Sequence, residues 1–155
     1  MRFTIPAATA LLAAVLLPAA AHADPPLAVL KQLGLLGSWA NVSCTAPVSK
    51  ENSRVVYYDT GKGYARRRLE RGSAPSLDGA VDSARVIAPG LILLTLRNDD
   101  PNWQQLNGMV YETEIEIANG RARTRRSVGS DGTVYIRDGT FRDGSPVPSL
   151  IHCDR

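Results

Sequence analysis

The chain has 155 residues, a hydrophobic fraction of 44%, two cysteines and a formal net charge of +3. One domain with a substantial core fits this length, whereas a multidomain enzyme or a protein with several membrane spans does not. The small positive charge also argues against a dedicated nucleic-acid binder, because the field that it produces is weak.

The first 23 residues have the three parts of an export signal. Arg2 provides a positive start, residues 7–17 form an apolar run, and Ala21-His22-Ala23 fits the small-x-small cleavage rule. The run is shorter than the roughly 20 residues that a membrane-spanning helix needs, and no later segment is apolar enough to span a bilayer. We therefore expect cleavage after Ala23, a periplasmic or secreted protein, and one domain over residues 24–155. Its net charge is then +2, since the signal removes one arginine.

A short helix is predicted at the start of the mature chain. Leucines at positions 27, 30, 33 and 36 follow Pro25-Pro26 at helical spacing, and the helix is expected to end near Gly34 or Gly37. We expect it to cover an open end of the structure that follows.

Beyond Gly37 the pattern changes to short β-type runs separated by turn residues. A further short strand is expected near residues 140–142. The eight main predicted strands are residues 38–44, 54–59, 64–71, 80–87, 91–97, 109–118, 121–128 and 133–137.

The two cysteines, Cys44 and Cys153, both follow the signal. An exported chain with two cysteines most simply forms one disulfide, the alternative being two free buried thiols. The bond would join the first predicted strand to the tail and close a loop of about 110 residues.

The Asn119-Gly120 pair gives the clearest local evidence for a hairpin. Asn-Gly favours a type I′ turn, which fixes the register of the two flanking strands. In that register Glu116 faces Arg123 and Glu114 faces Arg125, so opposite charges meet across the pair. We predict a solvated charged ladder here, because each arginine is neutralised by its partner strand.

The same register places polar residues on the inner face of the hairpin. Arg126 and Thr113 share this face with Ile115, and the alternation of the strand at residues 64–71 turns Arg67 inwards as well. A buried arginine without a partner is costly, so each should meet a carboxylate, a carbonyl, water or a ligand anion.

Short hairpin turns between about eight strands predict an all-β fold. The favoured architecture is an antiparallel up-and-down barrel with a short N-terminal helix, since closing the sheet removes both edges. A β-sandwich is the alternative, although its long crossover connections fit the short turns less well.

Gly37-Ser38-Trp39 stands on the first predicted strand, directly after the predicted helix. It resembles the G-x-W motif of lipocalins and other calycins. In that superfamily the tryptophan packs at the closed end of an up-and-down barrel beside an arginine from near the last strand, a position that Arg137 or Arg142 would fill here. The mature chain also resembles a group of small exported bacterial proteins of unknown function, a resemblance that implies no activity. The segments that carry it are LGLLGSWANVSC, LRNDDPNWQQLNGMVYE and RSVGSDGTVYIRDG.

Catalytic machinery is scarce in this sequence. His152 is the one histidine after the signal, and the sequence has no HExxH, GxSxG or P-loop motif. Paired cysteines leave too few ligands for zinc, and the oxygen-rich residues 98–102 lack the spacing of an EF-hand and are better interpreted as a turn than as a calcium site. We therefore expect no catalysis, no metal and no cofactor.

The first functional hypothesis is a barrel that binds a small amphipathic or anionic ligand. Small calycins that bind anionic lipids combine an apolar cavity with inward arginines. The resemblance implies that Arg67 and Arg126 hold a carboxylate or phosphate, while Thr113, Tyr57 and Ile115 contribute to the rest of the site. In the alternative interpretation these arginines end at the barrel rim or pair with internal acids such as Asp59.

The second hypothesis is a protein-interaction module, such as an envelope-associated factor or a protease inhibitor. Residues 24–30 would be the segment that enters the partner, and the loop around Trp103 is a further contact candidate. The two hypotheses differ in whether the N-terminal segment is free or forms a helix packed across the barrel mouth.

Overall fold

Glycine and proline turns divide the chain into one short helix and a series of antiparallel strands. The structure, a computed structural model, describes residues 25–154, and the predicted export signal lies outside this range. A single 3-10 turn, Gln104–Leu106, stands between β5 and β6. The other elements are α1 Pro26–Gln32, β1 Gly37–Ala40, β2 Arg54–Asp59, β3 Ala65–Glu70, β4 Leu77–Ala88, β5 Leu91–Asn98, β6 Val110–Ala118, β7 Arg121–Gly129, β8 Val134–Arg137, β9 Thr140–Phe141 and β10 Leu150–His152.

Eight of these strands form a closed antiparallel barrel. Strands β1 to β7 pair in sequence order, and β10 then pairs with both β7 and β1. The short pair β8–β9 continues from the other end of β7 and lies outside this ring. The predicted all-β up-and-down barrel is thus confirmed, and the β-sandwich alternative is wrong.

The closing strand β10 has no counterpart among the predicted strands. It has three residues and follows Pro146 and Pro148, so it is too short to show the alternation that identifies a strand. Its residues pair directly with the two ends of the meander: Trp39 of β1 faces His152, and Ala122 of β7 faces Leu150.

The first strand is shorter than predicted and ends at Ala40. The buried amide of Asn52 organises the loop that follows, because its Nδ2 donates to the carbonyls of Ser43, Ala46 and Pro47 at 3.0–3.2 Å. Its Oδ1 accepts from the Ser43 backbone N–H at 3.0 Å. These side-chain bonds replace the ladder bonds that a longer strand would have used.

The disulfide between Cys44 and Cys153 is present, as predicted, with the two Cα atoms 5.2 Å apart. It joins the loop after β1 to the residue that follows β10, across a sequence separation of 109. Such a bond fits the oxidising conditions of the periplasm or the extracellular space. Within residues 25–154, no helix has the length and apolar character needed to cross a membrane.

Polar contacts reinforce the attachment of the tail to β1. The backbone N–H of Cys153 donates to the Ser38 carbonyl at 2.7 Å, and the Asp154 carboxylate accepts from the Ser38 N–H at 2.7 Å. The His152 Nε2 lies 2.9 Å from the Leu36 carbonyl oxygen. This histidine therefore packs in the seam of the barrel, by which we mean β10, its pairings with β1 and β7, and the disulfide beside it.

The N-terminal helix packs onto the end of the barrel where β1 begins. Leu27, Val29 and Leu30 are buried in the same apolar cluster as Trp39, and the Trp39 indole N–H donates to the Leu35 carbonyl at 2.8 Å. The predicted helix and its covering role are therefore seen in the structure. In residues 25–30, the described part of the segment suggested to enter a partner, three side chains are already buried against the barrel, which argues against insertion elsewhere.

Replacing Cys44 and Cys153 together by alanine should lower the free energy of unfolding by about 4–5 kcal/mol, because the bond closes a very long loop. Urea unfolding at constant pH measures the loss. A reducing agent should lower the stability of the natural protein to that of the variant and leave the variant unchanged. A loss below about 1 kcal/mol would contradict the importance given to this bond.

Replacing Leu30 by alanine should cost about 2–5 kcal/mol, because this side chain is fully buried between helix and barrel. Val42→Ala is the matched control: that side chain is 65% exposed, and its loss should change stability by no more than about 0.5 kcal/mol. Urea unfolding measures both changes. If the two substitutions lowered the free energy of unfolding equally, the packing of Leu30 against the barrel would not stabilise the protein as expected.

Candidate functional site

The barrel interior contains a cavity of about 200 Å³. Leu35 and Trp39 lie at its closed end, beside the helix, and side chains of β2, β3, β6 and β7 form much of its wall. Pockets for drug-sized ligands usually measure about 300–1,000 Å³, so this interior suits a smaller molecule or one part of a longer one.

Two arginines line the cavity, Arg67 and Arg123. Arg123 already donates to the Gly139 carbonyl at 2.9 Å, which leaves Arg67 as the cation available to a ligand. Arg67 lies on β3 between Ala65, which is buried, and Leu69, which also lines the cavity, so strand alternation turns it inwards. Among the described residues no carboxylate approaches its guanidinium within 4.0 Å. Asp59, suggested above as an internal partner, is exposed and binds Lys31 at 2.9 Å.

Two phenols on different strands respond to the charge of Arg67. Burial raises the pKa of Tyr57, and the Arg67 guanidinium beside it offsets part of that rise. Burial also raises the pKa of Tyr111, as does the neighbouring Tyr135, and Arg67 again acts in the opposite direction. Both phenols therefore remain protonated at neutral pH.

Further polar groups line the cavity opposite Arg67. Asn98 is buried and donates from Nδ2 to the Tyr111 hydroxyl at 2.8 Å, and the hydroxyls of Thr113 and Ser127 lie 3.2 Å apart. Asn98, Tyr111 and Ser127 are absent from the predicted site. Alternation identifies two of them, because Asn98 continues the inward face of Leu96 on β5 and Tyr111 shares the inward face of Thr113.

Four of the five predicted ligand-binding residues line this cavity: Arg67, Thr113, Tyr57 and Ile115. Thr113, Tyr57 and Ile115 are buried, and Arg67 is half-buried. Their positions come from three different strands, β2, β3 and β6, which barrel closure brings around one space. That they bind a ligand remains a prediction.

Arg126, the fifth predicted residue, lies on the outer face, so its predicted inward position is wrong. A β-bulge shifts the register after Glu114, because Arg125 is an extra residue with no partner on β6. Thr113 therefore faces Ser127, and Arg126 faces Glu114 at 3.5 Å. The bulge leaves two consecutive arginines, Arg125 and Arg126, in contact with water. A regular strand would turn one of them into the interior, where its burial would be costly.

The predicted charged ladder exists but is displaced by one arginine. Glu114 lies 3.5 Å from Arg126, and Glu116 lies 3.5 Å from Arg125. Arg123 faces Glu116 in the strand register, as predicted, but its guanidinium donates to the Gly139 carbonyl in the β8–β9 turn at 2.9 Å. The ladder stays on the solvated face, as its alternating charges predicted.

Trp39 has a different partner from the one implied by the calycin resemblance. The His152 ring packs on it edge to face, with ring centroids 4.4 Å apart. Arg137 and Arg142 are exposed, on β8 and directly after β9. The arginine beside the tryptophan is therefore not found at either suggested position, because the closing strand β10 occupies this side of the ring.

The acidic loop after β5 is organised by protein groups. Both Asp99 oxygens bind the Arg66 guanidinium, and Asp100 accepts from the backbone N–H groups of Asn102 at 2.9 Å and Asp78 at 3.0 Å. These amides lower the pKa of Asp100, the Asn102 N–H most strongly. The hydrogen bonds and ion pairs of this segment are therefore those of a turn that is attached to the barrel wall.

No protein-family model, curated protein or solved structure matches the chain. The calycin resemblance consequently depends on the G-x-W residues and the barrel architecture. The function has to be argued from the cavity itself, because a fold supports many different functions.

Substituting Tyr57 by phenylalanine should make the stability of the protein less sensitive to alkaline pH. Because the pKa of Tyr57 is raised in the folded state, its contribution to stability is complete below a pH of about 10 and is lost as the pH rises through the folded-state pKa. The free energy of unfolding should therefore fall less between pH 8 and about 11 in the variant than in the natural protein. Equal falls in both proteins would contradict the burial of this phenol.

Proposed function

We propose that the barrel binds a small amphipathic molecule with an acidic group, and that this group binds Arg67. The observation that supports the proposal is a half-buried guanidinium on the wall of a largely apolar cavity, with no carboxylate within 4.0 Å in residues 25–154. Removing a cation from water is costly, and a ligand anion would offset that cost through charge-assisted hydrogen bonds.

The surroundings of Arg67 favour a carboxylate as the acidic group. A guanidinium presents a planar fork of N–H donors that matches the two oxygens of a carboxylate. Tyr57, kept protonated by burial, offers a hydroxyl donor beside the same charge.

The apolar part of the ligand would lie against the remaining wall. Val55, Ile115 and Leu150 line this region without polar side-chain groups. A volume of about 200 Å³ limits the enclosed part to a short chain or a small ring. The proposed function is therefore binding, with size set by the cavity and orientation set by Arg67.

We also propose that this binding takes place in the periplasm or outside the cell in a calycin-like protein. The sequence of residues 1–23 and the disulfide support export. The helix packed beside Trp39 at the closed end of the barrel supports the calycin-like architecture.

Isothermal titration calorimetry with decanoate and the uncharged 1-decanol tests the role of Arg67. Decanoate should bind more tightly to the natural protein, and Arg67→Met should weaken decanoate binding at least about tenfold, because hydrogen bonds to charged groups contribute about 1.5–3 kcal/mol. Binding of 1-decanol should change little.

Arg126→Met is the matched control, since it removes an arginine from the outer face. It should leave decanoate binding unchanged. If decanoate binds equally to the Arg67→Met variant and the natural protein, the proposed site is wrong. Thermal unfolding of both variants verifies that each remains folded.

A further inference from the structure

An open groove adjoins the cavity on the side of the β8–β9 pair. Tyr135, Ile136 and Phe141 form its apolar wall, and its volume is about 530 Å³. Ile136 also lines the interior cavity, so this side chain lies between the two spaces. The groove is therefore the outer surface next to the interior cavity on this side of the barrel.

Two arginines lie on the walls of this groove. Arg71 directly follows β3, and Arg142 directly follows β9. Both are exposed, and among the described side chains no carboxylate lies within 4.0 Å of either one. Asp143 also lines the groove, with its carboxylate accepting from the Ser145 N–H at 2.9 Å. The three charges leave the groove positive.

The strand geometry sets the distance between the interior and exterior charges. Arg67 and Arg71 are four residues apart along β3 and its continuation, which corresponds to about 13 Å of extended chain. Apolar and aromatic side chains occupy the region between them, including Leu69 in the cavity and Phe141 in the groove. The site thus has a cation at each end of a mainly apolar path.

We propose that the ligand is an elongated apolar molecule with an acidic group at each end. One group binds Arg67 inside the barrel, and the other binds between Arg71 and Arg142 in the groove. This inference rests on the proposed function and extends it, because the enclosed cavity holds only part of such a molecule. The exposed end adds selectivity for a dianion, through ion pairs that salt weakens.

Calorimetry with decanedioate and decanoate at low ionic strength tests this inference on the disulfide-bonded protein. Decanedioate should bind about fivefold more tightly than decanoate, since an exposed ion pair seldom contributes more than that. The double variant Arg71→Met with Arg142→Met should bind the two acids equally, with its decanoate affinity unchanged. Added salt should likewise reduce the preference of the natural protein for decanedioate over decanoate.

Arg137→Met is the matched control, because this exposed arginine lies on the same β8–β9 pair but does not line the groove. It should preserve the preference for decanedioate. Equal binding of both acids by the natural protein, or a preference that persists in the double variant, overturns this inference. If Arg67→Met still weakens both acids, the proposed function survives that result. If Arg67→Met weakens neither acid, both proposals fail.

Discussion

The interior of this protein depends on the short strand that closes the ring. β10 contributes three residues, yet it joins β1 to β7 and gives the barrel its eighth strand. The disulfide fixes the residue after β10 to the loop after β1, and His152 packs on Trp39 from the same segment. Without this seam the cavity would be an open face of a curved sheet. Water would then screen Arg67, whereas the lower dielectric of an enclosed site would strengthen the anion binding proposed for it.

The features that the sequence predicts well are those with a strict local period. Arg67 lies in a strand without irregularity, so the positions of Ala65 and Leu69 determine its direction. The Asn119-Gly120 turn fixes the first residue pairs of its hairpin, and these pairs are found as predicted. The helix is similarly identifiable from the spacing of its leucines, because burial follows the period of the element. The packing of Trp39 is expected from the G-x-W resemblance and not from a period.

The errors arise where the structure departs from a regular period. Extending the hairpin register places Arg126 in the interior, but one extra residue at Arg125 reverses the faces of the β7 residues that follow it. The adjacent arginines contained a signal, since a regular strand would have buried one of them. β10 depends on pairing with distant strands, and three residues carry no period of their own. The groove residues Arg71 and Arg142 come together only through the fold.

Barrel closure also imposes an order on folding. Strands β2 to β7 follow one another in sequence and can form by adding one neighbour at a time, whereas the disulfide joins segments separated by 109 residues. The entropy of closing so long a loop makes this the slow step, in keeping with the slower folding of proteins rich in distant contacts. Until it is complete, β1 and β7 expose unpaired edges that another chain could join. Oxidation of the two cysteines would then commit the chain to the closed form.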